Sequence, residues 1–362
     1  MFLLLNVGAA LGPAAELHPG VWAGPDVSAL PLPVSGYQVY FVGEFHGVNE
    51  TVDILMQYLA RLYTGVGLRD VAIEEKAVYE GDARAYVEGR SSTVPAALCL
   101  RSAVLQALRH FNEGRNQNEL VRVHLVDIDS PASAIRQHLL AIREQVHGAA
   151  AVRVPDAKDI KQRALDTVDD LKRLTADENL QGGLRTVQHS IAAYQHGLEF
   201  DTSDVKGSPY LDDREEAISS NIQDLLRNPD CRAVLALYGS DHVAKSRRKD
   251  GGENRDRDFL PLALRLEQAG LKVFSVVTFP LSGRSSWRGH EGELPWTARD
   301  GTLENGETLD RVLTALPSGT LLYADPKRHR IRLPSKDITA FLVDAFLLFP
   351  IATAMENHCA TK

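Results

Sequence analysis

Two short stretches of the sequence share one pattern. Gly43-Glu44-Phe45-His46 and Gly239-Ser240-Asp241-His242 both read Gly-x-x-His, and each follows an apolar run. A third apolar run ends in two carboxylates, Glu74 and Glu75. Histidine titrates near neutral pH and can take a proton from water, while a neighbouring carboxylate can orient the ring or share a metal ion with it. Either histidine alone has an ordinary structural explanation. Two of them together with a strand-terminal Glu74 are the minimal apparatus for activating water, and glycine lets the chain turn so that these side chains face one crevice. Glu75 reads as a surface or helix-capping residue.

A covalent nucleophile is not expected. No Gly-x-Ser-x-Gly elbow is present, and Ser240 in GSDH lacks a glycine two residues on. Cys99, Cys231 and Cys359 are an odd number at wide spacing, which reads as inert thiols rather than a disulfide framework or a zinc site. Water is the expected nucleophile and a histidine the base, so activity should rise with pH as the imidazole becomes neutral.

The elements that must hold these residues alternate between strand and helix. Residues 38–42 read as a strand, Val52, Leu55, Leu59 and Leu62 repeat at helical spacing behind an Asn49 cap, and VAIEE reads as the next strand. Such a unit implies parallel strands with a right-handed crossover. Further apolar runs at 121–128, 232–239, 271–279, 320–325 and 345–350 suit strands covered on both faces. The expected fold is α/β, a mostly parallel central sheet flanked by helices, and ligands bind such sheets beyond the carboxyl ends of the strands.

The domain expected at 31–350 carries a helical insertion at about 130–211, without strand signal, that would overhang the site. Loops are expected at 246–258 and at 282–305, the second with Trp287, His290 and Trp296. Residues 1–30 read as a signal peptide, its remnant or a surface segment, and 351–362 as a tail. The apolar stretch Phe341 to Met355 is interrupted by Asp344 and Pro350 and is too short to span a bilayer.

Composition narrows the partners. The 362 residues are 44% hydrophobic and carry 40 Lys+Arg against 48 Asp+Glu, a net charge of −8. That balance excludes a broad electrostatic footprint for nucleic acid or an anionic membrane and favours a small-molecule or peptide partner. A cytoplasmic location is favoured over export.

The order of motifs resembles the superfamily that joins erythromycin esterases, the haem-binding ChaN proteins and the TraB and Tiki proteins, nearest to the erythromycin-esterase branch. VGEFHG, a helix and VAIEE are similar to that branch's opening. LRHFNEGRNQNELVRVHLVDID resembles its Arg-x-x-Asn segment and Asp-terminated strand through Arg109, Asn112 and Asp127. LDDREEAISSNIQDLL resembles its next helix through Asp213, Arg214 and Asn221. The helix after the first motif offers only Arg61, about a turn late for the family's arginine, and GSDH lacks a supporting histidine, which argues against a macrolide substrate.

The resemblance implies a hydrolase of an ester or amide. His46 would be the base, Glu44 and Glu74 would orient it, His242 would stabilise an oxyanion, and Arg214, Asp213 and Asp241 would contact substrate. Two alternatives accompany it. One is a Tiki-like peptidase with a divalent metal (Mn, Co or Zn) on His46, Glu74 and His242, which would lower the pKa of bound water. The other is a ChaN-like haem protein using Tyr37, Tyr40, Tyr63 or Tyr79 near the crevice.

Overall fold

The computed structural model describes residues 14–195, 209–246, 260–287, 290–294, 297–299, 301–332 and 343–355. In chain order they form β1 (Ala15–His18), β2 (Val21–Gly24), β3 (Val39–Glu44), α1 (Asn49–Val66), β4 (Asp70–Lys76), α2 (Glu80–Val87), α3 (Ser102–Asn112) and β5 (Arg122–Asp127). There follow α4 (Ala132–Gln145), α5 (Ile160–Leu174), α6 (Glu178–Gln195), α7 (Pro209–Arg227), β6 (Val234–Gly239) and α8 (Leu262–Gln268). The series closes with β7 (Val273–Trp287), β8 (His290–Glu293), α9 (Leu309–Thr314), β9 (Leu321–Ala324) and β10 (Ala345–Ala352).

The strands make one mixed sheet in the order β1-β2-β9-β10-β7-β3-β6-β4-β5, with β8 paired to β7. From β10 to β5 every pairing is parallel, and β1, β2 and β9 extend the β10 edge antiparallel. Strands β3 and β4 are parallel as expected but are not neighbours, because β6 lies between them. That insertion brings the second Gly-x-x-His turn between the first one and Glu74.

Alternation along a strand sends successive side chains to opposite faces. Tyr40, Val42, Ile73, Leu235 and Leu237 enter one buried layer with Leu55 and Leu59 of α1, while Val39, Phe41, Ala72, Val234 and Ala236 enter the other with Ile218 and Ile222 of α7. Helices α4, α5 and α6 have a third apolar cluster of their own, including Ile135, Leu139, Val168, Leu184 and Ile191, and α6 packs on α7, which packs on β5. The insertion is thus seated on the β5 side of the sheet. None of the described helices is long and apolar enough to cross a membrane.

Several expectations need correction. Residues from Ala15 onward pair into the sheet rather than forming a separate leading segment, and Ile351 and Ala352 belong to β10. The stretch expected to be irregular from Ser282 begins instead as a continuation of β7 to Trp287, which pairs antiparallel with β8. Val48 rather than Asn49 caps α1, while the Asn49 amide side chain bonds Thr353 and Ala354. Cys99 is disulfide-bonded rather than an inert thiol, and Cys231 is buried, its thiol pushed up to about 12 by burial and by Asp70. Residues 247–258, Trp296, Cys359 and the side chains of Trp287 and His290 lie outside the described residues.

Candidate active site

The carboxyl ends of β3, β4, β5 and β6 gather ionisable side chains, and strand alternation sorts them. Glu44 and Glu75 turn to the face covered by α3, where they meet Arg101; Glu74 turns to the other face, where it meets Arg214 of α7. Glu44 is fully buried. Its Oε1 accepts Nδ1–H of His46 at 2.8 Å and an Nη1–H of Arg101. Arg101 also donates to the Glu74 carbonyl oxygen at 3.2 Å. Burial opposes charge on Glu44, but Arg101 and His46 more than offset it and hold its carboxyl down at about 2. Because an ionised carboxylate only accepts, the His46 proton sits on Nδ1 and leaves Nε2 as the basic nitrogen. His46 is 28% exposed, the most open side chain of the group.

The loop that carries His46 is clamped. Gly47 has φ +79, and its carbonyl accepts from Ser286 of β7 at 3.1 Å and from Met355 at 3.0 Å. A Cβ there would fall 2.0 Å from the Ser286 carbonyl oxygen, so glycine is required for contact as well as for conformation. The Thr353 amide donates to Glu50 at 2.8 Å and fastens the next turn.

On the other side His242 gives Nδ1 to Glu215, a buried carboxylate of α7, and turns Nε2 to Glu74 Oε1 at 3.4 Å. Burial would lower its pKa, but Glu215 and Glu74 outweigh burial and raise it to about 10, so the ring is cationic at neutral pH. Arg214 lies beside it. Its Nε and Nη2 fork onto Asp127 at 2.9 and 2.5 Å, Nη2 also reaches Glu74 Oε1 at 2.6 Å, and Nη1 stands 3.4 Å from His242 Nε2.

Glu74 is the hub of the group. It accepts the Gly239 amide at 2.7 Å, pairs with Arg214 and His242, and lies 4.0 Å from His46 Nε2. Although burial works against its charge, His242 and Arg214 hold it well below the usual carboxylate range. A Cβ on Gly239 would stand 3.4 Å from both Glu74 Oε2 and His46 Nε2, so the glycine forms the floor between the two histidines.

His46, Glu44, Glu74 and His242 therefore lie together, with Arg214 among them. Asp213 faces α6, where it acts on His189, and Asp241 sits half-buried in the turn before His242. Glu75 is neither a surface residue nor a cap: it stands 3.7 Å from Arg101 Nε, and burial raises its pKa. Arg61 donates to the carbonyls of Val27, Leu30 and Leu32, far from the cluster in role. Arg109 and Asn112 likewise brace backbone carbonyls of Tyr86, Ser91, Val87 and Val121, and Asn221 braces Val126. Arg101 and Glu215 went unnoticed in the sequence.

The metal set of His46, Glu74 and His242 is not supported. Among the described residues no three His, Cys, Asp or Glu side chains are grouped to hold a metal ion. The reason is electrostatic: the Arg214 guanidinium and the His242 cation already face Glu74, and a divalent ion would add to that charge. Three of the four tyrosines named for haem stand away from the cluster. Tyr40 is buried in the core, Tyr37 packs on Tyr40 and Phe274 before β3 begins, and Tyr63 in the last turn of α1 donates to the Glu119 carbonyl. Only Tyr79, in the turn after β4, lies at the end of the sheet that carries the cluster.

No family model matches the sequence, and no curated protein matches it. Solved structures share the architecture. A Bacillus cereus protein is 13% identical over 90% of this chain and 91% of its own, with a TM-score of 0.60. A histidine variant of erythromycin esterase EreC in its open conformation is 12% identical over 89% and 92%, with a TM-score of 0.61. A succinoglycan biosynthesis protein is 11% identical over 90% of each chain, with a TM-score of 0.62. The chain has the fold of erythromycin esterase, the fold that its motifs led us to expect.

Proposed function

We propose that the protein is a hydrolase that cleaves an ester or amide bond of a small molecule or peptide with water as the nucleophile. The observation that carries this reading is the Glu44–His46 pair: a buried carboxylate holds the proton on Nδ1 and directs the basic Nε2 of the most exposed residue in the cluster toward Gly239 and Glu74. Water bonded to Nε2 loses a proton to it as the oxygen attacks the carbonyl carbon. The carbonyl oxygen gains negative charge, and Nη1 of Arg214 with Nε2 of cationic His242, 3.4 Å apart, are the donors side by side to receive it. Collapse of the tetrahedral species expels the alcohol or amine, which takes its proton back from the His46 imidazolium. Glu74 and Asp127 keep Arg214 in place, and Glu215 keeps His242 charged.

The neighbour named an erythromycin esterase supports hydrolysis as the class. The reading is tested with a panel of p-nitrophenyl esters and anilides. Hydrolysis is expected with no covalent adduct on Ser240 or any cysteine by mass spectrometry, and with loss of activity in His46→Asn. An acyl-enzyme on Ser240 would replace this mechanism with a covalent one.

A further inference from the structure

Two residues beyond Asp127 stands Asp129, fully buried. Its Oδ1 accepts the Val78 amide at 2.9 Å, its Oδ2 accepts Nδ1–H of His138 at 2.5 Å, and its own amide donates to Ser190 Oγ at 2.9 Å. Val78 lies in the turn that follows Glu74 and Glu75, His138 is on α4 and Ser190 on α6. His138 is itself nearly enclosed and is wedged against α6, where a Cβ on Gly183 would stand 3.3 Å from its Nε2. Burial disfavours charge on His138, but Asp129 more than offsets this and raises its pKa. One residue, through its carboxylate and its backbone amide, thus joins the loops after β4 and β5 to two helices of the insertion. Those two loops follow the strands that carry Glu74 and Asp127, both of which hold Arg214. A guanidinium fork binds only where its acceptors keep a fixed spacing.

We propose that Asp129 and His138 are positioning residues that set the spacing of Glu74 and Asp127 around Arg214 and link that spacing to the seating of α4 and α6. The pair touches neither Arg214 nor His46 and acts through the loops it fastens. A hydrogen bond that merely stabilised the fold would leave Arg214 undisturbed.

The test reads Arg214 directly and needs no substrate, so it stands whether or not the hydrolase reading does. In nitrogen-15 spectra the Arg214 Nε–H signal is assigned by its loss in Arg214→Lys, and its solvent exchange is measured in the wild type, His138→Ala and His138→Asn. Asparagine keeps a donor where the imidazole Nδ1 was. Exchange is expected to quicken about tenfold or more in His138→Ala and to return to within about twofold of the wild type in His138→Asn. The Arg122 Nε–H signal, bonded to Asp70 at 2.8 Å, is the control and should not change. Unchanged Arg214 exchange in folded His138→Ala, an equal quickening at Arg122, or no recovery in His138→Asn would each overturn the proposal. If His138→Ala does not fold, Ser190→Ala, which removes the acceptor of the Asp129 amide, is read by the same criteria.

Discussion

His46 and His242 each end a Gly-x-x-His turn, each gives Nδ1 to a buried glutamate and each turns Nε2 toward Glu74. They differ in what else the glutamate touches. Glu44 is balanced by the Arg101 guanidinium, whereas the cation facing Glu215 is His242 itself. In the first arrangement the carboxylate beside the histidine is already balanced by a second cation. The second locks the histidine in its charged form up to about pH 10. The same motif thus holds its histidine in two different settings, and a residue outside the motif, Arg101, makes the difference.

The comparison breaks first at His46. His46→Asn should lower turnover by about two to four orders of magnitude, the usual worth of a general base, while circular dichroism stays unchanged. If the loss is below tenfold, base and cation have been assigned the wrong way round. Arg101→Leu should make His46 resemble His242: the pH at which activity appears should move up, and chemical denaturation should show a loss of about 3 to 5 kcal/mol from the uncompensated buried Glu44. A destabilised variant with an unshifted profile would deny Arg101 its part in setting the base.

Glu215→Gln should do the reverse to His242. Its folded pKa of about 10 lies above the ordinary 6.5, so the stability it contributes is complete below 6.5 and is lost as pH rises through 10. In the variant, with only Glu74 left to raise that pKa, the slope should shrink in melting curves taken between those values, and the alkaline fall of activity should move toward neutrality, with roughly a tenfold loss of turnover at pH 7. The smallest effect is expected at Gly239→Ala. The new methyl would sit 3.4 Å from Glu74 Oε2 and His46 Nε2, so a few tenths of an ångström of adjustment should cost no more than a few-fold in turnover, with KM rising as the floor lifts.

The parallel strands were legible because burial on both faces writes continuous apolar runs such as VYFV and VLAL. The four-residue strands AELH and VWAG carry no such run, and nothing local says that β6 separates β3 from β4. The site was legible in the same measure. Glu44, His46, Glu74 and His242 end strands, where polarity stands out. Arg101 sits in the short turn AALCLR with no periodicity to mark its direction, and only the fold brings it to Glu44. Glu215 looks solvated within LDDREE, yet it shares a helical face with Ile218 and Ile222, both buried, and that spacing was the available signal.

The Gly47 clamp has a consequence in time. The residue proposed as the base is made early, but its loop is fastened by β7 and by Thr353, 303 residues beyond its partner Glu50. At about 5 to 20 residues per second, a nascent chain carries His46 for roughly 15 to 60 seconds before those contacts can form. Contacts of such separation also close late in refolding, because loop entropy is lost before they reward it. These fastenings are therefore absent from the growing chain, and a ribosome stalled before β10 would display a sheet whose His46 loop is not yet clamped.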